Sequence, residues 1–134
     1  MNRVLLFIAL SAIMVFACQK TINWDLATNA VASMAKDSSD NCLSISVYGN
    51  YRADSVLTDS NYIVLKVVVD SPGNYSMYTS IVNGYSFTAS GNFTKTGFND
   101  VRLVGTGTPQ LPQLDSFTVF LDSSSCAFIV NVLP

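Results

Sequence analysis

The sequence predicts an all-β domain of seven to eight short antiparallel strands, and three observations carry that prediction. From Cys42 onward apolar residues recur with a period of two, the repeat of a half-buried strand. Turn signals built from Pro, Gly, Asn and Ser punctuate the same region at roughly 8–12-residue spacing. Every acidic residue is Asp and none is Glu. The short Asp carboxylate bonds nearby backbone N–H groups and favours turns, whereas Glu favours helices.

The elements follow in order. Leu43, Ile45 and Val47 begin the alternation. Ile63, Leu65, Val67 and Val69 then make one apolar face against Tyr62, Val64, Lys66, Val68 and Asp70, which predicts a central strand over Tyr62–Asp70. Ser71-Pro72-Gly73-Asn74 reads as a type II turn, with Pro at the second position and Gly at the third, and predicts that Tyr75–Ile81 returns antiparallel beside the central strand. Asn83-Gly84 is a two-residue primed turn into Tyr85–Ala89. Thr96-Gly97 closes a further strand around Phe93, Val101 and Leu103 point inward about Arg102, and Phe117, Val119 and Leu121 do the same in the next strand. Ser123-Ser124-Ser125 precedes the last strand, Cys126–Val132. That count predicts an immunoglobulin-like antiparallel β-sandwich over residues 42–134, with a closed barrel as the alternative architecture. The antibody-domain pattern of Trp between two Cys is missing, because Trp24 precedes Cys42.

The N-terminal region has a different character. Met1-Asn2-Arg3, the apolar run Val4–Phe16 and Ala17-Cys18 read as an export signal, residues 1–17, with Cys18 as the lipidation site. Val15-Phe16-Ala17-Cys18 resembles the lipobox of bacterial lipoproteins. Ordinary signal-peptidase cleavage before an unlipidated Cys18, and an uncleaved anchor, are the rival readings. The thirteen-residue run reaches about 20 Å as a helix, short of a bilayer core of roughly 30 Å. Residues 18–41 are expected to form a lipid-anchored tether, with limited helical periodicity between Asp25 and Lys36 and a short strand or helix around Ile22–Leu26. The expected location is the cell envelope, anchored to the outer membrane and facing the periplasm or the surface.

Composition narrows the function classes. Beyond residue 17 there remain six Lys or Arg against nine Asp, with no basic stripe, so nucleic acid is not an expected partner. Without His the chain has no Ser-His-Asp or Cys-His site and no His-ligated metal centre. No cofactor, metal or enzymatic activity is expected. Beyond Cys18 only Cys42 and Cys126 remain, and an even pair in an exported domain predicts a disulfide. Cys126 shares parity with Phe128, Val130 and Val132, whereas Cys42 is out of step with Leu43, Ile45 and Val47. The bridge therefore requires Cys42 to lie before its strand becomes regular.

Gly73-Asn74-Tyr75-Ser76-Met77, Val82-Asn83-Gly84-Tyr85-Ser86-Phe87, Gly91-Asn92-Phe93, Thr96-Gly97, Val101-Arg102-Leu103, Gly105-Thr106-Gly107-Thr108-Pro109, Phe117-Thr118-Val119 and Cys126-Ala127-Phe128-Ile129-Val130 carry a resemblance. Together, over about residues 42–134, they resemble the immunoglobulin-like sandwich repeats of uncharacterised Bacteroidota lipoproteins and cell-surface proteins. The resemblance implies a sandwich fold and brings no catalytic residues. Surface lipoproteins of that phylum tend to carry an acidic cluster after the lipid-bearing Cys, and Gln19-Lys20-Thr21-Ile22-Asn23 has none, which leaves a periplasm-facing location open.

Other constellations are weak. Asp54 and Asp59, near Asn50 and Asn61, supply oxygen ligands without the dense spacing of a calcium loop, and read as solvated turn acids. Gly105-Thr106-Gly107-Thr108-Pro109 lacks the Lys and the helix of a phosphate loop and reads as a bend between sheets. Asp54-Ser55-Val56 matches a short Bacteroidota O-glycosylation sequon but reads as a turn. Trp24, Tyr48, Tyr51, Tyr78 and Phe98 fall in loops or off the inward parity and are the candidate ligand or partner contacts, with Phe120 and Ile129 as outward apolar groups. The expected function is a non-catalytic, membrane-anchored binding module of the envelope. The alternative is a carbohydrate-binding accessory lipoprotein that stacks sugars on its aromatics.

Overall fold

A computed structural model describes residues 28–134. Cys18, the expected lipidation site, residues 1–17, the expected signal peptide, and Trp24 lie outside the described residues. Eight strands follow in order: β1 (Val31–Met34), β2 (Ser46–Tyr48), β3 (Tyr62–Ser71), β4 (Gly73–Thr79), β5 (Tyr85–Phe93), β6 (Gly97–Gly107), β7 (Leu114–Leu121) and β8 (Ser124–Asn131). No helix occurs among the described residues. All pairings between strands are antiparallel, in one sheet of order β1-β3-β6-β5-β4-β7-β8, with β2 also paired to β3. The all-β antiparallel fold expected from the period-two pattern is present.

The sheet folds over on itself because β5 and β6 pair at one end only. Tyr85–Thr88 pair with Val104–Gly107, while the rest of β6 pairs with β3 and the rest of β5 with β4. Two half-sheets result, β1-β2-β3-β6 and β5-β4-β7-β8. Between them lie the inward rows Ile63, Leu65, Val67, Val69, then Tyr85, Phe87, then Phe117, Val119, Leu121, then Cys126, Phe128, Val130, all buried. Phe87, Phe117 and Phe128 form the aromatic centre, at ring separations of 5.2–5.5 Å. Such pairs contribute about 0.5–1.5 kcal/mol each beyond their buried area.

The two edges, β1 and β8, then face each other and the fold is close to a barrel. Cys42 and Cys126 form a disulfide across this seam, with Cα atoms 5.9 Å apart. Cys42 sits in an isolated bridge with Lys36, before β2 begins, as its parity required. Nearby the Met34 N–H donates to Ser124 Oγ at 3.0 Å. At the other end of the seam Ala53 N–H donates to Leu133 O and Leu133 N–H to Tyr51 O, both at 2.9 Å.

Three expectations are corrected. First, the sheet begins before Cys42: Val31–Met34 pairs with β3, and Ala30, Met34 and Ala35 are buried, so the tether expected over residues 18–41 does not extend through residue 41. Second, Tyr85–Ala89 and the segment around Phe93 are one strand, β5. Third, β3 and β4 are not paired. Pro72 alone separates them, and the chain crosses there from one half-sheet to the other. The partner of β3 is β6, and the Ser71–Asn74 tetrad makes a crossing instead of a hairpin.

Gly73 is nevertheless required at that crossing. Its φ is 155°, and a Cβ would lie 2.4 Å from the Thr28 carbonyl oxygen and 2.6 Å from the Ala30 nitrogen. Both are backbone atoms, held there because Asn74 N–H donates to Thr28 O and Ala30 N–H to Asn74 O. Gly73→Val is therefore expected to cost about 2–3 kcal/mol by forcing the N-terminal segment off β4. Asn74→Ala, which keeps those backbone bonds, should cost less in a urea titration. Equal midpoints would mean that the segment does not dock.

The Asn83-Gly84 turn forms as expected. Both residues have positive φ, 50° and 86°, and Val82 and Tyr85 exchange two backbone hydrogen bonds. In the β7–β8 hairpin the turn is Asp122-Ser123, with Asp122 at φ 48°, so Ser124 and Ser125 already belong to β8.

Candidate functional site

The described candidate aromatics do not converge on one place. Tyr48 is half-exposed on β2 and stacks on Tyr62 of β3, with ring centroids 4.8 Å apart. The other face of Tyr62 is taken by the Arg102 guanidinium from β6, 4.0 Å from the ring centroid. Arg102 also donates to the Asp59 carbonyl. Tyr62 is thus covered on both sides, and only the outer face of Tyr48 is free. Phe98 is exposed on the same half-sheet but pairs with Val68, six residues along β3 from Tyr62, about 20 Å away. The Lys66–Asp100 ion pair, at 2.7 Å, stands between them.

Tyr51 is a correction. It is 3% exposed, and its ring packs against Tyr85 and Phe87 at 6.0 and 6.1 Å. Its hydroxyl donates to the Tyr48 carbonyl at 3.0 Å. The pairing of its backbone with the C-terminal residues turns the ring under the core, so Tyr51 plugs one end of the fold and is no surface contact. Burial holds its phenol well above the usual tyrosine range.

Tyr78 lies on the opposite half-sheet, 54% exposed, beside Phe120 at 5.7 Å between centroids. This pair belongs to a larger surface. Asp115 apart, β4, β5, β7 and β8 contain no charged residue, and Asp115 is buried. Their outward positions are mostly hydroxyl and amide groups, among which stand the large side chains of Tyr78, Phe120, Leu114 and Ile129. One row runs Thr88–Tyr78–Phe120–Ser125 across all four strands. Further along β7 and β8, Thr118 faces Ala127, Ser116 faces Ile129, and Leu114 faces Asn131. Ile129 and Leu114 are 61% and 69% exposed. Ile81 and Leu111, also exposed, extend the surface around the end of the fold.

A buried polar cluster holds that end, and the sequence reading missed it. Asp115 Oδ2 accepts from the Tyr85 hydroxyl at 2.8 Å and from Asn83 Nδ2 at 3.0 Å, while Oδ1 accepts from Gln113 Nε2 at 2.7 Å. Asn83 Oδ1 accepts the Leu111 N–H at 2.9 Å and Asn83 Nδ2 donates to the Leu111 carbonyl at 2.8 Å. The turn residue thus clamps the loop before β7. Burial, and then the Asp115 carboxylate beside it, push the Tyr85 phenol far above its ordinary pKa. The signal was available, since Asp115 shares inward parity with Phe117, Val119 and Leu121.

The weaker constellations are structural. Asn61 is buried, its Oδ1 accepting the Thr58 N–H and its Nδ2 donating to the Asn50 carbonyl, so these two asparagines order the 50–60 loop between themselves. Among the described residues no group of three His, Cys, Asp or Glu is placed to hold a metal. Gly105-Thr106-Gly107, expected as a bend between sheets, is the end of β6 that leaves β3 and pairs with β5, where one half-sheet passes into the other. A cavity of about 270 Å³ lies where the N-terminal segment joins the sheet, lined by Asn29, Asn74, Tyr75, Ser76 and Asp122. Asp122 is its one charged group.

The chain matches no protein-family model, and no curated protein matches it at a significant level.

Proposed function

We propose that this protein is a non-catalytic binding module of the cell envelope, lipid-anchored through Cys18, of the kind that the Bacteroidota resemblance suggests. The observation that carries the reading is the distribution of exposed apolar groups. Thr28–Ala30 enters the fold beside Asn74, at the start of β4. Tyr78, Ile81, Leu111, Leu114 and Ile129 lie on the uncharged half-sheet or toward its far end, away from that entry, while Val31, Val47, Tyr48, Val56, Phe98 and Leu133 are exposed singly elsewhere. An attachment at one end and an apolar, uncharged surface away from it suit a tethered domain that presents a face to a partner. The Cys42–Cys126 disulfide fits an exported domain, because such bridges persist in oxidising compartments.

The carbohydrate alternative has less support. Sugar stacking uses exposed rings beside polar groups, and among the described candidates only Tyr78, with Phe120 beside it and Thr88 and Ser125 flanking them, offers this: Tyr62 is covered on both faces, Tyr51 is buried, and Tyr48 stands on the opposite half-sheet.

Fractionation tests the anchor. The wild-type protein should sediment with envelope membranes and resist extraction by salt, while Cys18→Ala should appear in the soluble fraction or stall as the uncleaved precursor. Wild-type protein found free and soluble would reject the reading.

A further inference from the structure

We propose that Asn83-Gly84 is a modification site: the closed end of the fold keeps Asn83 as the amide, and once that end opens Asn83 converts to an acidic residue with which it cannot close again. The sequence supplies the reactive pair. Asn83 is the one asparagine of the chain with glycine after it, whereas Asn74 and Asn92, on β4 and β5, precede Tyr and Phe. Glycine has no Cβ to hinder its own backbone nitrogen. In a flexible chain the Gly84 nitrogen attacks Asn83 Cγ, its proton leaves with the carboxamide nitrogen as ammonia, and a succinimide joins the two residues. Water then opens the ring, at Cγ to give aspartate or at the main-chain carbonyl to give isoaspartate. One water enters and one ammonia leaves, so the step needs no other reactant.

The fold opposes the attack. The pair is set in its primed turn at φ 50° and 86°, closed by the two backbone bonds between Val82 and Tyr85. The leaving nitrogen is itself held, because Asn83 Nδ2 donates to Leu111 O at 2.8 Å and to Asp115 Oδ2 at 3.0 Å. Asn83 Oδ1 accepts the Leu111 N–H at 2.9 Å and the Gln110 N–H at 3.3 Å. Gly84 is wedged as well: a Cβ there would lie 2.5 Å from Thr108 O, and its carbonyl accepts the Thr108 N–H. Asn83 Cγ cannot swing onto the Gly84 nitrogen without breaking the four bonds of its carboxamide.

The product cannot take the amide's place. Aspartate would set a carboxylate oxygen at the 3.0 Å that now separates Nδ2 from Asp115 Oδ2, in a cluster whose other members, Tyr85, Gln113 and Leu111, carry no positive charge. Like charges at that distance repel strongly, and Leu111 O loses its donor. Isoaspartate adds a methylene to the main chain of a turn whose length sets the strand register. Each opening that leads to conversion is therefore recorded in one direction.

This goes beyond the binding-module reading and does not depend on it. The test incubates the full-length protein, its disulfide intact, at mildly alkaline pH with and without urea and then digests it with trypsin. The mass of the segment Val67–Lys95 reads Asn74, Asn83 and Asn92 together, and fragmentation locates any exchange of ammonia for water. Conversion at Asn83 should be at least about a hundredfold slower in the folded protein than in urea, because only molecules with this end open react. Asp115→Ala, which removes one acceptor of the clamp, should raise the folded rate at least about tenfold, while Gly73→Val, at the other end of β4, should leave it near the wild-type value. Asn83→Asp made directly should speed hydrogen exchange of the Leu111 N–H at least about tenfold, and adding Asp115→Asn, which sets an amide opposite the new acid, should recover most of that protection. The proposal is overturned by equal conversion in folded and urea-treated protein, by an Asp115→Ala rate no higher than that of Gly73→Val, or by an Asn83→Asp protein that protects the Leu111 N–H as well as the wild type.

Discussion

Replacing Cys42 and Cys126 together by serine is expected to lower the unfolding free energy by about 4 kcal/mol. The bridge spans 84 residues, so it removes much of the freedom that the unfolded chain would otherwise have. It also crosses the one place where the sheet is not continuous. β1 and β8 are not paired in a ladder, and the Met34 N–H to Ser124 Oγ bond is the polar link that accompanies the disulfide there. Without the bridge β1, four residues long, is expected to fray from β3 and expose Met34 and Ala35. Urea unfolding of the double-serine protein beside the wild type measures the loss. A difference below about 1 kcal/mol would show that packing alone holds the seam.

Asp115→Ala should cost about 2–4 kcal/mol, an unusual penalty for removing an acid. The carboxylate is 1% exposed and its partners are neutral donors, so its removal leaves the Tyr85 hydroxyl buried with no acceptor and releases the Asn83 clamp. Asp115→Asn should cost only about 1 kcal/mol, since its amide oxygen still accepts from Tyr85 and Asn83 while the exposed Gln113 can turn its own oxygen toward the new amide. Thermal or urea unfolding of the two variants separates these effects. Equal losses would mean that the hydrogen bonds at this carboxylate are idle and that its volume is what matters.

Much of the fold was legible because parity is a local property. The inward rows of β3, β7 and β8 follow directly from alternation, and Asn83-Gly84 specifies its turn with two residues. Partner choice is different. Ser71-Pro72-Gly73-Asn74 has the chemistry of a turn, but whether a chain reversal there pairs its flanking strands or carries the chain to another layer is decided by distant strands, here β6 and β5. β1 was hidden for a related reason. Val31–Met34 is short and includes Ala and Ser, and its stability comes from the edge of β3 instead of its own pattern.

The surface was half legible. Tyr48, Tyr78 and Phe98 are exposed as their parity suggested. Tyr51 is not, because a loop residue has no parity to read, and its burial depends on the C-terminal residues some 80 positions away. The uncharged half-sheet needed topology as well as sequence. Stretches free of charge between Asp70 and Lys95, and again after Asp122, become one face only when β5, β4, β7 and β8 are set side by side.

One measurement reads export, anchoring and the bridged seam together. The membrane-extracted protein is denatured without reductant, treated with a thiol-reactive maleimide and weighed intact. The expected product is a chain that begins at Cys18, carries added acyl mass and takes up no maleimide. A chain that begins at Met1 without acyl mass, or one that gains two labels at Cys42 and Cys126, would contradict it.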